Sequence, residues 1–320
     1  SVKVRQSFGP IGTPGLENDY CAARAGIEKM LPKDKFKAIE ALVGDGANAD
    51  ETREDLRALP LVSIDSPNTF DIDDALCAEP QDEGWLLTVA IADPTTCIKE
   101  AAELTTLIAT RGTSHYFHGL AIPMLPEALS QSAALRPQED KNALVCRLTI
   151  SADGDITDSS IKLAVVQSKA KLSYQEVEEV LTDSAEHEFA ERLHHLNDCF
   201  SALRAWRESR ELVIEHRPEH RWLLNENKQI DRIEEVQKKG SQLLVEECMV
   251  AANRCIAQAL KDAELPGPFV THAGIRRDRA EEAKEFLTRF LPDQNAIDFS
   301  TLDGFRTLIN ELNAASDERP

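Results

Sequence analysis

Four aspartates, Asp65, Asp71, Asp73 and Asp74, fall within ten residues of a 320-residue chain. They lie in Ile64-Asp65-Ser66-Pro67-Asn68-Thr69-Phe70-Asp71-Ile72-Asp73-Asp74-Ala75, directly after an apolar run. No Lys or Arg occurs between Arg57 and Lys99, so the neighbouring sequence offers nothing to offset their charge. Carboxylates crowded in this way repel one another and take up protons unless a divalent cation keeps them ionised. Hard cations prefer oxygen donors, so Mg²⁺ is the expected ion and Mn²⁺ the alternative. In extended chain Asp71 and Asp73 project to one side, and Pro67 can turn the loop so that Asp65 returns beside them. An EF-hand is excluded, because the Gly at its sixth position and the Glu at its twelfth are missing. A solvated acidic loop is the plain alternative, and the apolar runs on both sides argue against it. Metal-carboxylate clusters most often serve phosphoryl transfer, which leaves nuclease, phosphatase and nucleotidyl-transferase open.

The elements that must hold these residues are legible in part. Strand-like runs span Leu59 to Ile64, Trp85 to Ala92, Leu144 to Ile150 and Ser160 to Val166. Asp153-Gly154 between the last two is a hairpin signal, so a mixed or antiparallel sheet is expected. From Ser173 the period becomes helical, clearest in Phe189, Leu193, Leu196, Phe200 and Leu203, with Asp183 and Glu186 as an expected cap. A further helix runs from about Ser241 to Lys261, apolar enough to predict burial, so that its polar residues need a reason. Amphipathic patterns also cover Arg279 to Leu291 and Leu302 to Ala315. The fold class is α+β, a mixed or antiparallel sheet flanked by helices. Residues 1–50, with helical patterning from Glu17 through Leu42 and a polar break at Gly44 to Asp50, read as a linker. Residues 51–320 read as the catalytic domain.

Composition bounds the function. The net charge of -20 excludes nucleic-acid binding on a broad basic surface, so a polyanion must enter a local groove or use metal ions. No apolar stretch is long enough to cross a bilayer, and the first residues carry no export pattern. Seven scattered cysteines without a C-x-x-C pair read as reduced thiols, and a cytoplasmic monomer is expected.

The ordered motifs resemble the ribonuclease II/ribonuclease R (RNB) family, which includes the catalytic subunit of the eukaryotic exosome. They are Leu61-Val62-Ser63-Ile64-Asp65-Ser66, Asp71-Ile72-Asp73-Asp74-Ala75-Leu76, Val89-Ala90-Ile91-Ala92-Asp93-Pro94 and Ile122-Pro123-Met124-Leu125-Pro126 with Leu129-Ser130. Ser168 to Tyr174 and Val245 to Asn253 extend the likeness, which covers roughly Glu54 to Ala315. The resemblance implies a Mg²⁺-dependent, processive 3′ to 5′ exoribonuclease that threads single-stranded RNA to a buried site and releases nucleoside 5′-monophosphates. It implies that Asp65, Asp71 and Asp74 bind metal and that Asp73 is the aspartate most directly tied to cleavage. The residue types alone let any of the four bind metal.

By the same resemblance, Tyr116 stacks near the terminal nucleotide and Trp222 clamps its other face, against the alternative that both are packing aromatics. Tyr174 and Glu247 match positions that recognise the RNA end and its ribose; the alternative for Glu247 is a buried salt bridge. Lys169, Lys171, Arg204, Arg207, Arg210 and Arg221 could meet phosphates, but charged faces are usually solvated. By the resemblance, the family's downstream arginine segment, its cold-shock-type domains and its C-terminal OB-type domain are expected to have no counterpart in these residues, with the end of a cold-shock-type domain as the alternative to a linker at residues 1–50. Ile275-Arg276-Arg277 lies too early to supply that arginine. The catalytic fold is therefore expected to be incomplete at its C-terminus and weakly active or inactive alone. Two rivals stand beside this reading: an RNB-like RNA-binding or regulatory protein that has lost catalysis, and a metal phosphatase or nucleotidyl-transferase for small substrates.

Overall fold

The computed structural model describes residues 4, 6–27, 52–95, 102–117, 119–183, 186–211, 213, 219–227, 229–271, 274–288, 298 and 301–317. A seven-stranded sheet is built from β1 (Glu54–Asp55), β2 (Val62–Asp65), β3 (Asp74–Gln81), β4 (Gly84–Ala92), β7 (Asp140–Ser151), β8 (Ile156–Gln167) and β9 (Ala170–Ser173). Its order is β1-β8-β7-β4-β3-β2-β9, with β1/β8 and β2/β9 parallel and the other pairs antiparallel. Two separate hairpins, β5 (His115–Phe117) with β6 (Leu120–Ile122) and β10 (Glu219–Leu224) with β11 (Ile230–Val236), complete the strands.

Only Ser168 and Lys169 separate β8 from β9, yet β9 pairs at the far edge of the sheet. So short a link spans roughly 10 Å, and therefore the sheet must curl until the two regions meet. The Lys169 N–H accordingly donates to the Leu61 carbonyl at 2.7 Å.

Period-two alternation sorts the strand residues into two buried clusters. Val62, Ile64, Leu76, Leu87, Val89, Cys146, Leu148 and Ile150 face one side, where they meet α4 (Tyr174–Asp183), α5 (Ala190–Arg210) and α6 (Gly240–Asp262). Ala75, Cys77, Ala90, Ala143, Val145, Ala164 and Val166 face the other, with Leu56, Leu61 and Leu135. Both faces are covered along β2, β4 and the centre of β7, which is why these stretches read as apolar runs. The small side chains of the second cluster leave room for the curl.

The remaining helices are α1 (Leu16–Arg24), α2 (Ala102–Arg111), α3 (Glu127–Ala133), α7 (Ala280–Thr288) and α8 (Leu302–Asp317). Predicted helix beyond Ile27, the polar break at Gly44 to Asp50 and the end of the Arg279 to Leu291 pattern lie outside the described residues. One expectation is corrected. Asp183 does not cap the helix of Phe189 to Leu203 but ends α4, and α5 begins after Phe189 with no side-chain cap. Phe189 is itself buried, so its side chain anchors the entry to α5.

The β7–β8 turn contains the expected Asp153-Gly154, and Gly154 has φ +84°. A Cβ there would lie 2.0 Å from the Ala202 carbonyl oxygen in α5. The glycine thus serves both a left-handed turn and a close backbone approach. Gly154→Ala is expected to lower the unfolding free energy by at least about 2 kcal/mol, as read by urea denaturation.

Candidate active site

Asp65 closes β2, where it is half-buried and pairs in register with Ser173 of β9. The Thr69 N–H donates to the Ser66 carbonyl at 3.1 Å and shapes the following turn. Ile72 is buried and its carbonyl accepts from the Leu135 N–H at 2.8 Å, so Asp71 and Asp73 on either side of it point outward together. The Asp73 carbonyl accepts from the Ala92 N–H at 2.8 Å, which fixes the entry to β3. Asp74 opens that strand opposite Ile91.

The aspartates feel one another. Burial first, then the charges of Asp65 and Asp73, pushes Asp74 up to about 7. Asp73 is solvent-exposed as a residue, yet desolvation by the surrounding protein raises its carboxyl, with Asp71 and Asp65 adding to the effect. Asp65 is raised by burial against the opposing hydrogen bonds of Thr69 and Ser66 and the charge of Lys171, and Asp71 raises it further. The buried Asp74 Oδ2 atom has no hydrogen-bond partner among the described residues, a costly state that a cation would relieve. Among the described residues no three His, Cys, Asp or Glu side chains are grouped closely enough to hold an ion as they stand. The donor set, all oxygen and crowded with like charge, nevertheless fits a hard divalent cation in kind.

The neighbouring sequence offers the cluster no cation, and the fold brings one, Lys171, from a distant stretch of the chain. Its Nζ donates to the Pro67 carbonyl at 3.1 Å and the Thr69 carbonyl at 2.7 Å, gripping the loop between Asp65 and Asp71. β9 brings it there by pairing with β2. Lys171→Met is expected to cost about 1–3 kcal/mol of stability and to speed hydrogen exchange at the Thr69 amide. Phe70, also passed over in the sequence, stands 72% exposed beside Asp71.

Tyr174 begins α4 immediately after Ser173, and its hydroxyl is pushed up by burial and by the charges of Asp65 and Asp74. The Ser241 Oγ donates to the Tyr174 carbonyl at 2.9 Å, and the Ser241 N–H donates to Glu178 Oε2 at 3.0 Å, tying the start of α6 to α4. Glu247 follows on α6, and its neighbour Cys248 is raised by burial first and then by Cys199, Glu247 and Asp74. The buried-salt-bridge alternative for Glu247 is realised: Arg207 Nη1 donates to Oε1 at 2.6 Å.

Tyr116 and Trp222 lie on the two small hairpins, apart from the main sheet. Tyr116 is 77% exposed and Trp222 42%, so neither is a core aromatic. A Cβ on Gly119, at the β5–β6 turn, would lie 3.3 Å from Leu224 Cδ1, so the two hairpins abut. Trp222 also lines a cavity of about 350 Å³ with Gly12 to Gly15, Asn18 and Leu224. The other basic residues are engaged: Lys169 donates to the Arg57 carbonyl, Arg210 stacks on Trp206, and Arg221 pairs with Glu234.

The family model for the RNB domain matches residues 53–319. The chain belongs to the RNB domain family. Exoribonuclease 2 of Yersinia enterocolitica is 38% identical over 300 residues, covering 91% of this chain and 46% of that protein. Exoribonuclease 2 of Pectobacterium atrosepticum is 39% identical over 270 residues, covering 82% and 42%. This RNB chain thus spans about half the length of the curated relatives it matches. The RNase R of Mycoplasma genitalium, solved with double-stranded RNA, superposes with a TM-score of 0.88 at 21% identity, covering 97% of this chain and 56% of that one. That likeness establishes the RNB fold: a mixed seven-stranded sheet flanked by helices.

Proposed function

We propose that this RNB-family chain is the catalytic region of a hydrolytic 3′ to 5′ exoribonuclease that degrades single-stranded RNA processively to nucleoside 5′-monophosphates. The observation that carries the proposal is the buried, unpartnered Oδ2 of Asp74 in the shared field of Asp65 and Asp73. Asp65, Asp71 and Asp74 would hold Mg²⁺, for which Mn²⁺ could substitute. When bound, the ion supplies Lewis-acid polarisation of the phosphoryl oxygens and a lowered pKa for attacking water. Asp73 is exposed, and the desolvation and neighbouring carboxylates that raise its carboxyl make it a stronger proton acceptor, which suits it to orient water and accept its proton.

The abutting hairpins support a base clamp: Tyr116 and Trp222 offer exposed ring faces, and stacking on them is indifferent to sequence. The influence of Asp65 and Asp74 on Tyr174 supports a role for this residue at the RNA end. Glu247 accepts a hydrogen bond from ribose. Residues 51–320 form the catalytic unit in this reading and residues 1–50 its linker. We place the protein in the cytoplasm on its scattered cysteines, which are free thiols among the described residues. No helix among the described residues is long and apolar enough to cross a membrane.

The test uses poly(A) labelled at either end, incubated with the full-length protein and Mg²⁺. The 3′ label is expected in mononucleotide from the first turnover, while the 5′ label stays in a shortening chain. Internal fragments, or early release of the 5′ label, would sink the proposal.

A further inference from the structure

Glu247 is 1% exposed, and a carboxylate so buried is tolerated only when it is paired. A pair built for stability uses both oxygens, because the guanidinium fork can give two parallel bonds. Here Arg207 Nη1 engages Oε1 alone, at 2.6 Å. Arg204 Nη1 approaches Oε2 to 3.5 Å, but its Nε is drawn to Glu208 Oε1 at 2.7 Å, and among the described residues Oε2 is left without a hydrogen bond. One oxygen is therefore clamped while the other is a spare acceptor beneath Arg204. The Arg204–Glu208 pair is partly exposed and contributes little, so the cover over Oε2 is easily displaced.

The spare acceptor selects a class of ligand. An anion such as phosphate is repelled by the carboxylate, whereas a neutral hydroxyl donates to it. α6 is pinned at Ser241 to Tyr174, and Cys248 beside Glu247 feels the charge of Asp74, so this acceptor sits on the helix flanking the acidic site. We infer that Arg207 is the positioning residue that fixes Glu247 so that its free Oε2 receives a ribose 2′-hydroxyl at the RNA end, with Arg204 as the replaceable cover. This rests on the reading of Glu247 as a ribose acceptor.

The probes are fluorescent single strands identical except for ribose or deoxyribose in their last nucleotides. Their Kd values for the full-length protein are measured by anisotropy without added metal, so that no strand is cut. The readout is the ratio of DNA-ended to RNA-ended Kd, which general destabilisation does not move. Losing a hydrogen bond to a charged group is expected to lower this ratio at least about tenfold in Arg207→Met. Arg207→Lys, which can give a single N–H to Oε1, is expected to recover part of it. A wild-type ratio near one, or a ratio unchanged in Glu247→Gln, removes the reading of Glu247 and this inference with it. A ratio that collapses in Glu247→Gln but keeps its wild-type value in Arg207→Met overturns the role of Arg207 alone. If Arg207→Met fails to fold, Arg207→Gln is read in its place by the same criterion.

Discussion

RNA turnover is expected to fall by at least about a thousandfold in Asp73→Asn, because preorganised electrostatic and general-base contributions are each worth orders of magnitude in rate. The substitution keeps size and shape and removes only the charge and the proton acceptor. It should leave the fold intact, since Asp73 is exposed and its backbone carbonyl, not its side chain, holds the Ala92 N–H. One like charge disappears from beside Asp74, so repulsion within the site decreases. The melting temperature should accordingly stay constant or rise while single-turnover cleavage collapses. A variant that cleaves at the wild-type rate would remove Asp73 from the chemistry. One that loses activity only by unfolding would assign it a structural role.

The second large effect concerns stability. Arg53 Nη2 lies 2.6 Å from Asp93 Oδ2, with the two side chains only 3% and 7% exposed. This pair joins the segment entering β1 to the end of β4, next to the entry of β3. Two further donors of Arg53, Nε and Nη1, have no hydrogen-bond partner among the described residues, so the pair as a whole contributes little net stability. Removing one half is different, because the other charge is stranded. Arg53→Met is expected to cost about 3–5 kcal/mol at neutral pH, measured by urea unfolding.

The pH dependence gives the sign. Burial pushes Asp93 up, but hydrogen bonds from Thr95 and Arg53 outweigh it and hold the carboxyl below its usual range. A carboxyl depressed in the folded state stabilises the wild type above the ordinary aspartate range, and that contribution is lost as pH falls through the folded value. In Arg53→Met the uncompensated Asp93 is expected to be raised and to protonate more readily. The difference between the two proteins should therefore shrink as pH is lowered toward about 4. A constant difference from pH 7 to pH 4 would mean that Arg53 acts through packing alone.

The strands β2, β4 and β7 could be read from sequence because burial on both faces leaves their central stretches apolar, whereas β8 is legible only in its second half, where Ala164 and Val166 are buried. β3 was hidden, since it begins inside the acidic cluster at Asp74 and ends in Glu79-Pro80-Gln81. The curl of the sheet was hidden as well, because it depends on a two-residue link carrying β9 to the opposite edge. Charge patterning gave the four aspartates directly. It could not give Lys171, which reaches their loop from about a hundred residues away, nor Arg207, forty residues before Glu247 on another helix. Long-range pairs of this kind are set by the packing of elements, and no local period records them. Exposed Tyr116 and Trp222 were found through motif resemblance, since an isolated aromatic in a short strand has the same local pattern whether it packs or binds.

The central claim is that Asp65, Asp71, Asp73 and Asp74 act as one divalent-cation site, and Mn²⁺ titration followed by electron paramagnetic resonance tests it most directly. The wild-type protein is expected to bind Mn²⁺ saturably, with competition by Mg²⁺. Affinity should fall at least about tenfold in Asp74→Asn, as expected when a carboxylate is taken from a hard-cation site. Saturable binding of undiminished affinity in Asp74→Asn, or no saturable binding in the wild type, would contradict the claim.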